Sequence, residues 1–319
     1  MSQVDSNPFI NTDTNKRYYT YDFFLRKTFG EKCAKITLDI GCTCPNIDGK
    51  CGFGGCIYCH DGSMSLNTKP LLSVEEQYYS QINEIKKKWP KVTKFIPYFQ
   101  SHTNTYTSLE KIKDYLEKAM KLDGAVMINI ATRADCLEDE KIELIDKYAE
   151  QIPVTIELGL QTSNDKTAGL INRGHSYETF VDCFERIRKK SDKIKIAIHI
   201  INGLPGESKV EMMETAKEIA RLNPDILKIH LLHIIKGTAI EKQYLKNEYS
   251  PLSLEDYVDI VCSQIEILPP NLVIERVGGD VQLDLLVAPM WCSKKVSVIN
   301  EIDKELFKRN TYQGKNYIR

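Results

Sequence analysis

Half of the chain's ten cysteines lie within one stretch of 18 residues, at Cys42, Cys44, Cys51, Cys56 and Cys59. In a reducing compartment, clustered thiols more often bind metal than pair as disulfides. Glycines between them let the backbone fold tightly around a metal centre. The stretch therefore predicts a metal-binding loop, whereas the scattered cysteines are expected to serve as small apolar residues.

The spacing within this loop fits an iron–sulfur cluster. Two residues separate Cys56 from Cys59, and a glycine-rich segment of eleven residues can bring Cys44 back as a third ligand. Three thiolates would leave one iron of a [4Fe–4S] cluster open to the amino and carboxylate groups of S-adenosylmethionine (SAM). The reduced cluster would split SAM, while the protein supplies position and electrostatics.

A structural zinc site is the alternative for the same cysteines. A zinc ribbon has two Cys-x-x-Cys pairs about 15–20 residues apart. This chain offers Cys42-x-Cys44 and Cys56-x-x-Cys59 with Cys51 between them, so the cysteine count leaves both sites open. The loop follows the first predicted strand directly, which is where barrel enzymes have their active sites, and this position favours catalysis.

The rest of the chain alternates nearly continuous apolar runs with longer amphipathic segments, as expected for buried parallel strands and the helices between them. The predicted strands are 35–40, 94–100, 125–131, 154–161, 194–201, 226–232 and 272–276. The predicted helices are 73–88, 108–121, 138–149, 177–189, 208–222 and 253–265. This rhythm predicts a parallel sheet curved into a full or partial (β/α) barrel. An open doubly wound sheet is the alternative, although no Gly-x-Gly-x-x-Gly follows the first strand.

Composition places few limits on function. Hydrophobic residues make up 42% of the 319 residues, which is enough for a packed core, and the formal net charge of −1 does not by itself indicate a nucleic-acid partner. No apolar run approaches the roughly 20 residues of a membrane span, and the polar first 14 residues lack a signal pattern, so we expect a cytoplasmic protein. Basic residues near the end form a solvated face or contact RNA phosphates: Lys294, Lys295, Lys304, Lys308, Arg309, Lys315 and Arg319.

Several motifs resemble those of one enzyme family. They are Cys-Pro-Asn-x-Asp-Gly…Gly-Gly-Cys-x-Tyr-Cys at 44–59, and the segments 98–105, 130–137, 157–162, 171–175, 199–207, 228–233, 278–280, 288–291 and 312–315. The pattern is similar to that of the radical SAM subgroup that includes the YhcC and YtqA proteins, which are related to the catalytic subunit of Elongator but lack its acetyltransferase domain. The last three segments fit the YtqA branch. Cys42 and Cys51 are not part of the family's three-cysteine pattern.

The resemblance implies an α/β fold with a partial (β/α)6 barrel of the triosephosphate-isomerase type and short terminal extensions. Residues 1–30 would form the N-terminal extension, 31–277 the barrel and 278–319 the C-terminal extension. It also implies a [4Fe–4S] cluster on Cys44, Cys56 and Cys59, with SAM bound across the strand ends. The residues expected to contact SAM are Gln100, Thr103, Asn104, Thr132, Glu157, Gln161, Asn202 and His230, and those expected to be catalytic are Arg133 and Glu157.

Each assignment has a structural alternative. Glu157 lies within an apolar strand, where an unpaired carboxylate would be costly, so it needs a partner such as a ribose or a cation. Arg133 could pair with Asp135 or with Glu157 instead of reaching SAM or substrate. Histidines at such positions are more often satisfied core residues than catalysts: His199, His230 and His233.

The YtqA branch implies a substrate, the wobble uridine of tRNA, and an electron donor such as flavodoxin or ferredoxin. The implied reaction converts 5-carboxymethylaminomethyl uridine into 5-aminomethyl uridine. Such a substrate needs a basic, aromatic surface near the site, for which the basic tail and the N-terminal segment are candidates, the latter with Lys16, Arg17, Tyr18, Tyr19 and Tyr21. Two other functions stay open: a radical SAM enzyme acting on a small molecule or protein, and a non-catalytic zinc-bound scaffold or RNA-binding module.

Overall fold

Strands and helices alternate along the chain in the computed structural model, which describes residues 7–60 and 72–318. The strands in this part of the chain are β1 (Cys33–Leu38), β2 (Lys94–Phe99), β3 (Ile128–Thr132), β4 (Val154–Gln161), β5 (Lys195–Asn202), β6 (Ile226–Leu231), β7 (Ile234–Ile235), β8 (Val273–Val277) and β9 (Leu286–Ala288). The helices are α1 (Tyr21–Phe29), α2 (Val74–Lys88), α3 (Leu109–Met120), α4 (Asp139–Ala149), α5 (Asp165–Leu170), α6 (Tyr177–Lys190), α7 (Lys209–Leu222), α8 (Ala239–Leu245), α9 (Leu254–Ile267) and α10 (Lys295–Lys308). Of these helices, none has the length and apolar character needed to cross a membrane.

Seven strands form one sheet in the order β1-β2-β3-β4-β5-β6-β8, and β7 pairs with β9 in an antiparallel ribbon. The pairs β1–β2, β2–β3, β3–β4 and β6–β8 are parallel. Each strand is added beside its predecessor without reversal, which is the order of a (β/α) barrel, whereas a doubly wound sheet reverses at a switch point. The predicted fold class is therefore confirmed, with β8 as a seventh strand beyond the six of the predicted barrel.

Serine caps explain why the helices begin where the sequence predicts. The hydroxyl of Ser73 accepts a hydrogen bond from the backbone N–H of Glu76, and the Glu76 carboxylate accepts one from the N–H of Ser73. This is the predicted capping box, and serines also cap α3, α6, α7 and α9. Each cap stabilises its helix by about 1 kcal/mol. The six predicted helices begin and end within two residues of the observed ones, including α4, which follows Glu138 without a side-chain cap.

The sequence analysis did not predict the helices at the two ends of the chain. Residues 21–29 form α1, and residues 295–308 form α10, which buries Val298, Ile302 and Leu306. These three residues recur at a helical spacing of four, which is a signal that the basic side chains around them obscured. The tail is therefore an amphipathic helix and not only a solvated basic segment.

The described residues divide into two compact units. The first comprises 7–24, 162–167 and 200–318, and the second comprises 25–60, 72–161 and 168–199. The second unit contains β1 to β4, which follow one another in the sheet. The predicted boundaries at residues 30 and 277 rest on the extent of the barrel motifs and stay a prediction.

Within the first unit, Gln313 binds backbone from two segments, at residues 17–19 and 269–272. Its side chain is fully buried, and Nε2 donates to the carbonyl oxygens of Pro269 (2.6 Å) and Leu272 (2.7 Å). Its Oε1 accepts from the N–H of Tyr19 at 2.8 Å, and its own N–H donates to the carbonyl of Arg17 at 2.9 Å. All polar atoms of this buried amide therefore have partners, as burial requires.

The N-terminal segment lies along β8, the last strand in the sheet order. The N–H of Ile274 donates to the carbonyl of Tyr19 at 2.8 Å, and Thr20 forms a parallel bridge with Ile274. This pairing covers an edge that would otherwise be open to another chain. Arg17, Tyr18 and Tyr21 of the same segment are buried, and Arg17 donates to the carbonyl of Thr311. The prediction that these three side chains form an RNA-binding surface is therefore wrong, because they belong to the core of the first unit.

We expect the substitution Gln313→Glu to lower the free energy of unfolding by about 3 kcal/mol. It conserves the volume but removes two N–H donors and places a buried carboxylate oxygen against two carbonyl oxygens. Urea denaturation followed by circular dichroism measures the change. The control is Gln151→Glu at an exposed position, which should leave the midpoint unchanged. Equal midpoints for the two variants would contradict the role assigned to Gln313.

Candidate active site

The cysteine loop begins directly after β1, and Cys56 and Cys59 share one tight turn within it. The N–H of Cys59 donates to the carbonyl of Cys56 at 2.8 Å. Gly54 and Gly55 precede the turn with φ angles of +76° and +71°, a conformation that favours glycine. A Cβ on Gly55 would also lie 3.3 Å from the side chain of Ile47. The two glycines therefore allow the chain to enter the turn that presents both thiols on one short segment.

Cys44 lies at the start of a second turn in the loop. Its carbonyl accepts from the N–H groups of Ile47 (2.8 Å) and Asp48 (3.2 Å). The N–H of Cys51 then donates to the carbonyl of Pro45 at 2.9 Å, which brings the middle of the loop back beside Cys44. The segment between Cys44 and Cys56 is thus folded on itself, as the prediction of a returning loop requires.

Residues 171–175 support the loop. The side chain of Asn172 donates to the carbonyls of Phe53 (3.1 Å) and Gly55 (2.7 Å), and the carbonyl of Ile171 accepts from the N–H of Ile57 at 3.1 Å. Asn172 has a φ of +53°, a left-handed conformation that asparagine tolerates better than most residues. This segment was part of the family resemblance, but sequence reasoning assigned it no task.

The donor set of the loop fits a cluster with three protein thiolates. Cys56 is buried, Cys44 and Cys59 are partly exposed, and none of the three is in a disulfide. No three His, Cys, Asp or Glu side chains among residues 7–60 and 72–318 are arranged around a single ion. Each cysteine of a cubane cluster binds a different iron through its thiolate, so three cysteines on one folded loop supply the donor type that such a cluster uses.

The two surplus cysteines of the loop have different environments. Cys42 is buried, and burial raises the pKa of its thiol, as expected for a structural cysteine. Cys51 is exposed, and its Sγ lies 3.6 Å from Nη2 of Arg133. The pKa of Cys51 is nevertheless raised, with desolvation as the largest cause.

Arg133 follows β3 and is a buried cation beside the loop. Its Nε and Nη2 donate to the two carboxylate oxygens of Asp135 at 2.8 and 2.7 Å, and its Nη1 donates to the carbonyl of Arg173 at 2.8 Å. Burial alone would lower the pKa of Arg133, but the bonds with Asp135 raise it above its ordinary value. The guanidinium is therefore charged, and pairing with Asp135, one of the two partners considered from the sequence, is what the structure shows.

His175 is neutral at physiological pH. Burial, followed by the neighbouring cation of Arg173, lowers the pKa of His175 to about 3. Its Nδ1 lies 3.1 Å from the carbonyl of Ser176. This imidazole therefore adds no charge beside the loop above about pH 4.

Glu157 has the partners that its buried position requires. Its Oε1 accepts from Nζ of Lys35 (2.8 Å) and Nδ2 of Asn129 (2.7 Å), and its Oε2 lies 2.9 Å from Nε2 of His199. The ammonium of Lys35 also lies 4.6 Å from the centroid of the Tyr98 ring. These side chains come from β1 to β5, so one polar cluster joins five strands. Sequence reasoning missed Lys35, although a lone lysine in an apolar strand needs a partner for the same reason as the glutamate.

The segment after β2 connects neighbouring strand ends. The N–H of Gln100 donates to the carbonyl of Leu38, and the N–H of Thr103 to that of Thr43, both at 3.3 Å. The Asn104 amide donates to the carbonyls of Phe99 (3.0 Å) and Ala131 (2.9 Å), while its buried Oδ1 has no hydrogen-bond partner. The Asn104 side chain therefore holds the turn together through its NH₂ group, and its Oδ1 is the atom that could accept a hydrogen bond from a ligand.

The other residues expected to contact SAM differ in how their polar groups are used. The hydroxyl of Thr132 bonds that of Thr105, and Asn202 exchanges two hydrogen bonds of 2.9 Å with Gln264. Gln161 is partly exposed at the end of β4 with a φ of +75°, and His230 is partly exposed on β6. Gln100, Thr103, Asn104, Thr132, Arg133, Glu157 and Gln161 share the second unit with the cysteine loop, whereas Asn202 and His230 belong to the first. Their contacts with SAM stay predictions.

Comparison with known proteins places the chain in a family. The Radical SAM superfamily model matches residues 46–219, and the Radical_SAM C-terminal domain model matches residues 224–308. The uncharacterized protein YtqA of Bacillus subtilis is 42% identical over 99% of this chain and 98% of its own length. Protein YhcC of Escherichia coli is 31% identical over 88% of this chain and 90% of its own length.

More distant relatives match the radical SAM region. A tRNA uridine(34) acetyltransferase of Methanocaldococcus jannaschii is 26% identical over 54% of this chain and 32% of its own length. The solved structure of Methanocaldococcus infernus Elp3 superposes with a TM-score of 0.67 at 18% identity, over 88% of this chain and 64% of that one, and shows the same fold. Because the superfamily model spans more than half of the chain and YtqA matches nearly all of it, the chain belongs to the radical SAM superfamily, in the group of the YtqA and YhcC proteins.

Proposed function

We propose that this radical SAM enzyme holds a [4Fe–4S] cluster on Cys44, Cys56 and Cys59 and cleaves SAM there. The observation that carries the proposal is the folded loop after β1 that presents these three thiols, none of which is in a disulfide. When bound, the reduced cluster supplies the electron that splits the carbon–sulfur bond of SAM, giving methionine and a 5′-deoxyadenosyl radical. Everything else in the site positions these groups.

Arg133 offsets negative charge at the loop. Three thiolates and a SAM carboxylate bring several negative charges to one place, and a fixed cation nearby lowers the cost of gathering them. The bidentate bond with Asp135 holds the guanidinium in position, so this charge needs no rearrangement when the ligands bind. We assign Arg133 this electrostatic task toward the SAM carboxylate or the substrate.

Glu157 and its partners form a fixed polar group inside the sheet. Lys35 supplies the positive charge, while Asn129 and His199 hold the carboxylate in one orientation. A carboxylate oxygen is an acceptor to which a ribose hydroxyl can donate. We therefore propose that Glu157 orients the SAM ribose or the substrate, with Lys35 as its counter-ion.

We further propose that the substrate is tRNA, at the wobble uridine. The similarity of the radical SAM region to a tRNA uridine(34) acetyltransferase supports an RNA substrate, and the resemblance to the YtqA branch supports the 5-carboxymethylaminomethyl group as the target. The deoxyadenosyl radical would take a hydrogen atom from the carbon between the amine and the carboxylate, giving 5′-deoxyadenosine. The substrate radical would then pass one electron to the electron carrier and one proton to solvent, and water would hydrolyse the resulting imine to 5-aminomethyl uridine and glyoxylate. The required electron donor is a flavodoxin or a ferredoxin.

The charges on the surface bear on where RNA could bind. Lys295, Lys304 and Arg309 of the basic tail pair with carboxylates of the chain, which offsets much of the tail's positive charge. Lys50 is exposed on the cysteine loop, with its Nζ 5.0 Å from the centroid of the Tyr106 ring. A cation beside an aromatic ring is a typical contact for a phosphate and an unstacked base. We propose this pair as part of the RNA-binding surface.

The cluster assignment predicts SAM cleavage that depends on three cysteines. Anaerobically reconstituted protein should be brown and release 5′-deoxyadenosine on reduction with SAM, as measured by liquid chromatography. The triple variant Cys44→Ala, Cys56→Ala, Cys59→Ala should be colourless and inactive, whereas Cys51→Ala, a substitution in the same loop, should keep the cluster. A colourless wild-type protein that holds zinc and leaves SAM intact under every reductant would overturn the assignment.

A double-mutant cycle separates the structural and functional tasks of Glu157. Lys35→Met should destabilise the protein by about 3–5 kcal/mol because it leaves a buried carboxylate without its cation, and Lys35→Met with Glu157→Leu should recover much of that loss. Urea midpoints measure both. If Glu157 orients SAM or substrate, the stable double variant will still form 5′-deoxyadenosine or product at least 10-fold more slowly than wild type. A double variant with wild-type rates would show that Lys35 and Glu157 contribute to stability and not to the reaction.

The substrate assignment predicts a specific change in tRNA. Cells that lack the gene should accumulate 5-carboxymethylaminomethyl uridine and lose 5-aminomethyl uridine and its products, as measured by mass spectrometry of nucleosides. The wild-type gene should restore the modification, and the triple cysteine variant should not. Unchanged wobble uridines in the deletion strain would exclude this substrate while leaving the SAM chemistry intact.

A further inference from the structure

Asn46 is a fully buried residue of the cysteine loop, and the proposed function assigns it no role. Its Nδ2 donates to the carbonyl of Asn172 and lies 3.8 Å from the Sγ of Cys56, within hydrogen-bonding range of a sulfur acceptor. Its backbone carbonyl accepts from the N–H of Gly55 at 2.8 Å. Cys56 is the buried one of the three proposed ligands. Asn46 therefore provides a side-chain N–H to the thiol that is least accessible to water.

The carbonyl of Asn172 determines which end of the Asn46 amide faces Cys56. A backbone carbonyl accepts hydrogen bonds but cannot donate them, so the Asn46 NH₂ group must point toward it. The second hydrogen of that group is then directed to Sγ of Cys56. On the other side, Oδ1 of Asn46 is buried and has no hydrogen-bond partner. The surrounding residues thus provide hydrogen-bond partners for the NH₂ group of this amide and none for its oxygen.

Two glycines provide the space for the amide. A Cβ on Gly52 would lie 2.2 Å from Oδ1 of Asn46, and a Cβ on Gly174 would lie 2.9 Å from the same atom. Both distances are shorter than non-bonded contacts allow, so any larger residue at either position would displace the amide. The glycine of the loop and the glycine of segment 171–175 therefore leave the space that Asn46 needs in the orientation that reaches Cys56.

We propose that Asn46 is a positioning residue that raises the reduction potential of the cluster through its N–H bond to Cys56. The inference rests on the proposed cluster site. Reduction adds one negative charge to a [4Fe–4S] cluster, and a hydrogen bond to a ligand sulfur stabilises that added charge. A higher potential makes reduction by a flavodoxin or ferredoxin easier.

The test compares the cluster potentials of four reconstituted proteins by redox titration monitored with electron paramagnetic resonance. Asn46→Ala removes the amide, and Asn46→Leu removes it while keeping most of the volume. Asn172→Gly is the matched control: it removes the side-chain bonds to Phe53 and Gly55, keeps the carbonyl that orients Asn46, and tolerates the φ of +53°. We expect both Asn46 variants to have a more negative potential than wild type, and Asn172→Gly, which loosens the loop but keeps the Asn46–Cys56 bond, to shift less than either of them.

Each result decides the proposal. Asn46 variants with the wild-type potential would overturn it, as would an Asn172→Gly variant shifted equally, because general loosening of the loop would then explain both. If the Asn46 variants fold by circular dichroism but retain no iron while Asn172→Gly does, Asn46 is required to hold the cluster rather than to set its potential, and the proposal fails. If only the wild-type protein holds iron, general support of the loop, and not the Asn46–Cys56 bond, explains the loss of the cluster. The proposal then fails. A wild-type protein without a cluster would instead refute the proposed function.

Discussion

A carboxyl group buried in a parallel sheet needs polar partners, and in this protein the cluster around Glu157 involves five strands. Lys35 on β1 supplies a cation, Asn129 on β3 and His199 on β5 bond the carboxylate, and Tyr98 on β2 lies under the ammonium. Replacing such a cluster by apolar residues is often neutral or stabilising, so its retention is consistent with the ligand-orienting role proposed for Glu157.

The candidate site lies at the carboxyl ends of the strands, because parallel strands place these ends at one edge of the sheet. Within the second unit, the cysteine loop follows β1, the segment around Asn104 follows β2, and Arg133 follows β3. None of these segments is held by the sheet alone. Segment 171–175 supports the loop through Asn172, and Asp135 fixes Arg133, so the functional groups depend on a surrounding layer of hydrogen bonds. The cluster proposed for this loop would benefit from such rigidity, since rearrangement on reduction would slow electron transfer.

How well the sequence predicted each part depended on whether the signal was local. Strands and helices of the barrel were predicted within a few residues, because apolar runs and serine caps are read from neighbouring positions. Arg17 and Tyr18 were predicted to be exposed, but β8 and its neighbours bury them, and no local pattern reveals a pairing with a strand about 250 residues away. Helix α10 was missed for a different reason: its apolar residues have helical spacing, but the many basic residues suggested a solvated tail.

By itself, the sequence determined the kind of chemistry and the class of fold. Three thiols at this spacing behind a first strand, together with a strand–helix rhythm, are properties of neighbours in the chain. Only the tertiary structure decided which groups meet: that Lys35 is the partner of Glu157, that Asn202 bonds Gln264, and that Asn46 faces Cys56 under the carbonyl of Asn172. These contacts join residues 10 to 126 positions apart. An unpaired polar group is costly only where water is excluded, which happens only after the sheet has formed, so no local pattern can specify these contacts.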